Sequence, residues 1–350
     1  MTPSPPVGTG TAPADGCQAP GAYSAFVVTR NGDAVDAGVS TRAFGDLPGG
    51  DVVIRVDWSS VNYKDGMVLR PGNRVARVSP LVPGVDLAGT VLSSQDPSIE
   101  IGMQVLVHGY DLGVAHDGGF AELARVPAEW VVPLPTGLST RHAAIVGTAG
   151  FTAALSLHRL EQNGLAPGEG PVVVTGASGG VGSMAVLLFA ARGYEVVAST
   201  GKTAEHAYLV GLGASEVVSR EALVAAPERT LAPERWGGAV DCVGGPTLTA
   251  VLRSLRYGAA VAASGLTGGN SFESSVFPFI VRDASLIGID TVRTPIAQRR
   301  RVWAEIATRF PIPGLEAIVA SEVGLEGVAP ALDAIQAGTV RGRILVAPHR

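Results

Sequence analysis

At 350 residues the chain is long enough for two cores of ordinary size. Its 46% hydrophobic and 16% charged residues exclude a disordered chain, which is poor in apolar residues and rich in charge. A net charge of −5 excludes the basic footprint of a nucleic-acid-binding protein.

Residues 1–21 are dominated by Pro, Gly, Thr and Ala and read as a disordered tail. The stretch has neither the basic nor the apolar region of a signal peptide. Tyr23 to Thr29 and Asp51 to Trp58 alternate apolar and polar residues, as half-buried antiparallel strands do. The segments LVPGVDLAGTVLS, GMQVLVHG and GGFAELARVPAEWVVPLP add short strands punctuated by Pro and Gly. That spacing predicts a partly open β-barrel, with no helical period of any length before about residue 139.

From there the period changes. Ser139 is placed to cap a helix through RHAAIVGTAGFTAALSLHRLE, with Gly164 just past its end. PVVVTG, SMAVLLFAARG, YEVVAST, AEHAYLVGLG and ASEVVS then alternate strand and helix. GGAVDCVG, a helix from Thr247 to Arg256 and GAAVAASGL continue the alternation, and SLIGID reads as a last strand. This order predicts βαβ units and a parallel sheet covered on both faces. After about Thr294 come a helix with an exposed Arg299-Arg300-Arg301 run and a terminal strand, GRILVA. The fold class is α/β: a barrel-like region, residues 22–145 and 293–350, with a doubly wound domain inserted at residues 146–292.

Two cysteines, Cys17 and Cys242, exclude a disulfide framework and a cysteine-rich zinc site, and they fit a reducing cytoplasm. The most apolar windows, such as Val186 to Ala191, are too short to span a bilayer. His108, His116 and His142 are not spaced as a ligand set. No metal and no membrane are expected.

Between the first strand and helix of the inserted domain lies Ala177-x-Gly179-x-x-Gly182, a relaxed dinucleotide fingerprint. Gly179 lets the backbone approach a pyrophosphate, and Gly182 lets the helix pack close to the sheet. The helix start offers free N–H groups and the positive end of its dipole. No Gly-Lys-Ser/Thr ends the loop, so it is not a triphosphate-binding loop. Where an NAD site would place Asp or Glu against the ribose, the second strand ends in Ser199-Thr200-Gly201-Lys202. Hydroxyls and an ammonium suit a 2′-phosphate, which makes NADPH the expected cofactor. A lysine at an exposed turn is the other reading of Lys202.

WSSVNYKDGMVLRPG, PLVPGVDLAGTV, GGFAELARV, IVGTAGFTAALSL, VVVTGASGGVGS, GLGASEVVSR and FPFIVRDASLIGID together resemble the medium-chain dehydrogenase/reductase superfamily. Within it they resemble the zinc-free quinone-oxidoreductase-like branch that contains acrylyl-CoA reductase. The resemblance runs from about Tyr23 to the C-terminus; NYKD, the STGK turn and PFIVRDASLIGID carry its narrower part. It implies a GroES-like catalytic domain, a Rossmann domain and a homodimer. It also implies metal-free hydride transfer from NADPH to the β-carbon of acrylyl-CoA, giving propionyl-CoA.

By the same resemblance Ser178, Gly179, Gly180 and Val181 hold the pyrophosphate. Thr200, Gly201, Lys202 and Arg220 hold the 2′-phosphate. Tyr63 reaches the nicotinamide side, and Leu266 and Ile280 line its pocket. Lys202 departs from the Arg expected in this branch and lacks the bidentate fork of a guanidinium, which weakens the NADP preference.

Reduction of an enoyl thioester needs donors aimed at the carbonyl oxygen and an acid for the α-carbon. Tyr63 is the first candidate donor, with Asn62 and Asp65 beside it on one turn. Tyr63 is equally a packing tyrosine, whereas the favoured reading of Asn62 and Asp65 is that they shape the turn through Asx-type bonds. Arg70, Arg74 and Arg77, or Arg299 to Arg301, could meet the phosphates of coenzyme A or form solvated faces. The remaining readings are an NADPH:quinone oxidoreductase and a non-catalytic NADPH-binding protein.

Overall fold

The computed structural model describes residues 21–225, 229–309 and 312–350, so the expected tail, apart from Gly21, and Cys17 lie outside the described residues. The alternating N-terminal segment forms β1 (Ala22–Asn31), which pairs in antiparallel register with β2 (Ala34–Ala43). β2 escaped the sequence reading because none of its residues is buried. This ribbon is tied to the barrel where Phe26 N–H donates to the Phe120 carbonyl (2.9 Å).

The barrel itself is built from β3 (Val52–Ser60), β4 (Asp86–Ser94), β5 (Gln104–His108), β6 (Leu123–Val126) and β7 (Val132–Pro133). A short helix absent from the sequence reading, α1 (Tyr63–Val68), follows β3.

The helix expected after Ser139 is α2 (Thr140–Gln162), and the Ser139 hydroxyl accepts from the His142 N–H as an N-cap (3.1 Å). It is broken at Gly147, whose φ of 47° and ψ of −156° are not helical.

Beyond it come β8 (Val172–Thr175), α3 (Gly180–Ala191), β9 (Val196–Thr200), α4 (His206–Gly211), β10 (Glu216–Ser219), α5 (Arg220–Val224), β11 (Trp236–Asp241), α6 (Gly245–Arg253), β12 (Leu255–Ala263), α7 (Phe277–Arg282) and β13 (Ser285–Gly288). The six strands are all parallel and lie in the order β10-β9-β8-β11-β12-β13. Counted within the sheet this is 3-2-1-4-5-6, the dinucleotide-binding order. Its first strand is buried along its whole length, as a strand covered on both faces must be. α6 stops at Arg253, short of the expected Arg256, because Leu255 already starts β12.

The chain then returns through α8 (Ile296–Arg309), α9 (Ile312–Leu315), β14 (Val319–Val323), α10 (Val328–Gln336) and β15 (Arg343–Val346). β15 lies between β14 and β3, completing the seven-stranded sheet from the far end of the sequence. Phe151 of α2, Phe189 of α3 and Trp303 of α8, all fully buried, share the largest apolar cluster. No helix among the described residues is long and apolar enough to cross a membrane.

Candidate active site

The strand order of the parallel sheet reverses between β8 and β11, and sheets of this order bind their ligands at the carboxyl ends of the two strands at such a reversal. The glycine loop sits there. Its first turn is closed by the Gly179 N–H, which donates to the Gly176 carbonyl (3.0 Å). A Cβ on Gly182 would overlap that same carbonyl, so only glycine allows α3 to pack this close. At Gly179 an added Cβ would meet nothing nearer than 3.4 Å, which leaves the loop's outer side open.

The first α3 N–H with an acceptor is that of Ser183, which donates to the Gly179 carbonyl (2.9 Å). Those of Gly180, Val181 and Gly182 have no acceptor among the described residues. Three free donors at the positive end of a twelve-residue helix fit a pyrophosphate. The loop is held from below. Asp241, ending β11, accepts from the Thr175 hydroxyl (2.6 Å) and the Gly244 N–H (2.8 Å), and burial raises its pKa.

The Ser178 and Thr200 hydroxyls lie 3.0 Å apart, joining the loop to the end of β9. The Lys202 N–H then donates to Thr200 Oγ1 (3.1 Å). Arg220 stands over Gly201, where an added Cβ would lie 3.4 Å from its Nη2. Ser178, Thr200, Gly201, Lys202 and Arg220 are therefore brought together. Lys202 differs in one respect: its Nζ donates to the Val340 carbonyl (2.7 Å), and burial lowers its pKa.

The NYKD segment is the start of α1 rather than an open turn. Asp65 is fully buried, and its carboxylate accepts from the N–H groups of Asn62 (2.8 Å) and Val85 (3.0 Å). Burial pushes its pKa up to about 7 against the opposing effect of those bonds. Asp65 cannot touch substrate, so the expected catalytic role becomes a positioning one. Asn62 is likewise occupied: Nδ2 donates to Asp86 Oδ2 (2.7 Å), and Oδ1 accepts from Arg343 Nη1 (2.9 Å). Tyr63 alone of the three is exposed. Its carbonyl is fixed by Gln336 Nε2 (2.7 Å), and its hydroxyl has no partner among the described residues.

Behind this turn lies a network the sequence reading missed. Asp86 Oδ1 accepts from the Thr148 N–H (2.9 Å) and hydroxyl (2.6 Å). Asp86 Oδ2 accepts from Ser60 Oγ (2.7 Å) and forms an ion pair with Arg343 Nη2 (3.2 Å). Both charges are almost completely buried. A Cβ on Gly147 would run into the same two side chains, which explains why the break in α2 is a glycine. No local pattern marks Asp86 or Arg343 as a pair, since 257 positions separate them.

Leu266 and Ile280 are 52% and 71% exposed, and Ile280 shares α7 with exposed Phe277 and Val281. The structure thus brings neither into an enclosed pocket. The Arg299-Arg300-Arg301 run is not wholly exposed: Arg299 is fully buried. Its guanidinium donates to the carbonyls of His108 and Thr291, with its charge set over the Tyr110 ring (4.4 Å). His108 accepts from Trp303 Nε1 (2.9 Å) in the same pocket, and burial with the neighbouring Arg299 holds its pKa well below the usual value. Arg77 pairs with Asp111, and Arg70 and Arg74 are exposed. Among the described residues no three His, Cys, Asp or Glu side chains gather as a metal would need.

Comparison with known proteins agrees with this geometry. Residues 48–136 match the alcohol dehydrogenase GroES-like domain, and residues 180–308 match the family described as zinc-binding dehydrogenase. The chain is 47% identical to the putative quinone oxidoreductase YhfP of Bacillus subtilis, covering 93% of this chain and 98% of the relative. It is 45% identical to the acrylyl-CoA reductase AcuI of Ruegeria pomeroyi, with the same two coverages. Among solved structures, the yhdH oxidoreductase of Salmonella enterica in complex with NADP superposes with a TM-score of 0.89 at 43% identity, covering 93% of this chain and 99% of that one. B. subtilis yhfP with NAD bound gives 0.91 at 47% identity, with the same coverages. The chain belongs to the medium-chain dehydrogenase/reductase superfamily, in the branch of acrylyl-CoA reductases and quinone-oxidoreductase-like proteins.

Proposed function

We propose that this protein reduces the 2,3 double bond of acrylyl-CoA, or a close enoyl thioester, with NADPH, giving propionyl-CoA from acrylyl-CoA. The observation that carries the reading is the way the C-terminal strand joins two sites. Gly342 N–H donates to the Ser178 carbonyl of the glycine loop (2.9 Å), while Arg343 next to it holds Asn62. The start of α1 and the cofactor loop are thereby fixed to one short piece of chain.

Ser178, Gly179, Gly180 and Val181 hold the pyrophosphate, with Thr200, Gly201, Lys202 and Arg220 at the 2′-phosphate. Bound NADPH supplies the hydride for the β-carbon. Tyr63, the exposed member of its turn, presents its hydroxyl to the thioester carbonyl, where negative charge develops. Asn62 and Asp65 hold the backbone that aims it. Leu266 and Ile280 flank the nicotinamide side. The division into residues 22–145 with 293–350 and an inserted 146–292 is supported by the break at Gly147 and the Thr291–Pro295 crossover into α8. A homodimer fits the outer edge of β13, unpaired among the described residues, and the apolar face of α7, and a cytoplasmic location fits a reduced Cys242.

Reduction of a quinone is a second reading, favoured by the 47% identity to a putative quinone oxidoreductase. Stopped-flow oxidation of NADPH with acrylyl-CoA, crotonyl-CoA and a soluble quinone separates the two. Acrylyl-CoA is expected to be the fastest acceptor by kcat/KM. Preference for the quinone transfers the assignment, and no oxidation with any acceptor despite tight NADPH binding leaves a non-catalytic binding protein.

A further inference from the structure

The residues read as the 2′-phosphate site come from the end of β9, the turn after it and the start of α5, yet a third cation reaches them from the other half of the molecule. Arg341 lies on the loop between α10 and β15, one residue from each of two cross-contacts, Lys202 Nζ to the Val340 carbonyl and Gly342 N–H to the Ser178 carbonyl. Its guanidinium stands 4.7 Å over the Tyr208 ring and 3.7 Å from Glu205. Glu205 in turn feels Lys202, whose charge it favours, while Arg220 disfavours it. Lys202, Arg220, Arg341 and Glu205 are therefore one electrostatic group. Among the described residues Glu205 is the one carboxylate that pairs with Arg341, and it acts on Lys202 only at longer range.

We infer that Arg341 is a specificity-determining residue for the cofactor's 2′-phosphate, supplied by the C-terminal loop rather than by the nucleotide-binding sheet. This rests on the NADPH reading above. A phosphate dianion suits three cations set against one carboxylate, whereas the bare ribose hydroxyl of NADH gains nothing from that surplus. Lys202 already spends one donor on Val340, and as an ammonium it presents no fork. Arg341, half-exposed and stacked on Tyr208, brings a planar fork held at one end. It also cancels the repulsion that Glu205 would otherwise exert on the phosphate. The preference for NADPH is thus shared between the two halves of the chain, and the phosphate bridges them.

Calorimetric titration of the full-length protein with NADPH, NADH, 2′,5′-ADP and 5′-AMP tests this without turnover. Arg341→Ala is expected to weaken NADPH and 2′,5′-ADP by roughly ten- to hundred-fold while leaving NADH and 5′-AMP unchanged. Arg341→Lys should recover part of the loss, and Glu205→Gln in the parent should tighten 2′,5′-ADP. An unchanged NADPH-to-NADH ratio in Arg341→Ala overturns the inference, as does equal loss of both or a weaker 2′,5′-ADP in Glu205→Gln. A parent that binds NADH as tightly as NADPH overturns the underlying cofactor reading instead.

Discussion

Asp65 shows how a residue can be recognised in a motif and misread in its role. Its carboxyl, pushed by burial up to about 7 from an ordinary 3.8, keeps its proton in the folded chain at pH values where the unfolded chain has lost it. Its contribution to stability is therefore complete below about pH 4 and is lost as pH rises through about 7. Urea unfolding between pH 4.5 and 8 should show this decline, and Asp65→Asn should flatten it. The variant should also cost about 1–3 kcal/mol at pH 5, because its amide N–H₂ cannot accept from both backbone donors. Equal slopes in the two proteins would remove Asp65 from the explanation. Arg299 is the reverse case. Three consecutive arginines read as a solvated face, but the helix turns the first of them inward, where carbonyls and an aromatic ring replace water.

At the level of elements the doubly wound sheet was legible because β8 is a continuous apolar run and α3 and α4 are closed by Gly193 and Gly213. The glycine loop was legible because two separate constraints select its residues: backbone closeness at Gly182 and open space at Gly179. β2 and α1 were not, one being a ribbon with little burial and the other a helix too short to show a period. α7 and β13 form the PFIVRDASLIGID stretch, and the homodimer proposed above concerns them directly. Among the described residues β13 has a neighbour on one side only, and Val276, Phe277, Ile280 and Val281 are exposed on or next to α7, which packs on β12. A strand edge and apolar face of this kind are stabilised by pairing with a second copy. Sedimentation velocity should give twice the chain mass for the parent and a single chain for Phe277→Glu combined with Ile280→Glu. A monomeric parent would refute the dimer.

Across the whole molecule, the Asp86–Arg343 pair joins β4, α2, α1 and β15 at one buried point. Removing one partner leaves the other charge buried, so Arg343→Met should cost about 3–5 kcal/mol in urea unfolding. Asp86→Asn with Arg343→Met should cost less than the sum of the single changes, since neither charge is then stranded. Strict additivity would mean that the pair is not coupled. No reading of local patterns could have joined these residues, because the pairing exists only once the last strand has returned to the first sheet.

That return also sets the order in which the protein becomes functional during its synthesis. Val340, Arg341, Gly342 and Arg343 meet Lys202, Glu205, Ser178 and Asp86 in turn, and all four follow their partners at long range in the sequence. While the chain is being made N-terminus first, the glycine loop and the STGK turn emerge long before the segment that braces them. A nascent chain can form the parallel sheet and still lack a finished cofactor site. That site is finished only when the segment after α10 has emerged and docked, so cofactor loading waits for the return strand rather than for the sheet.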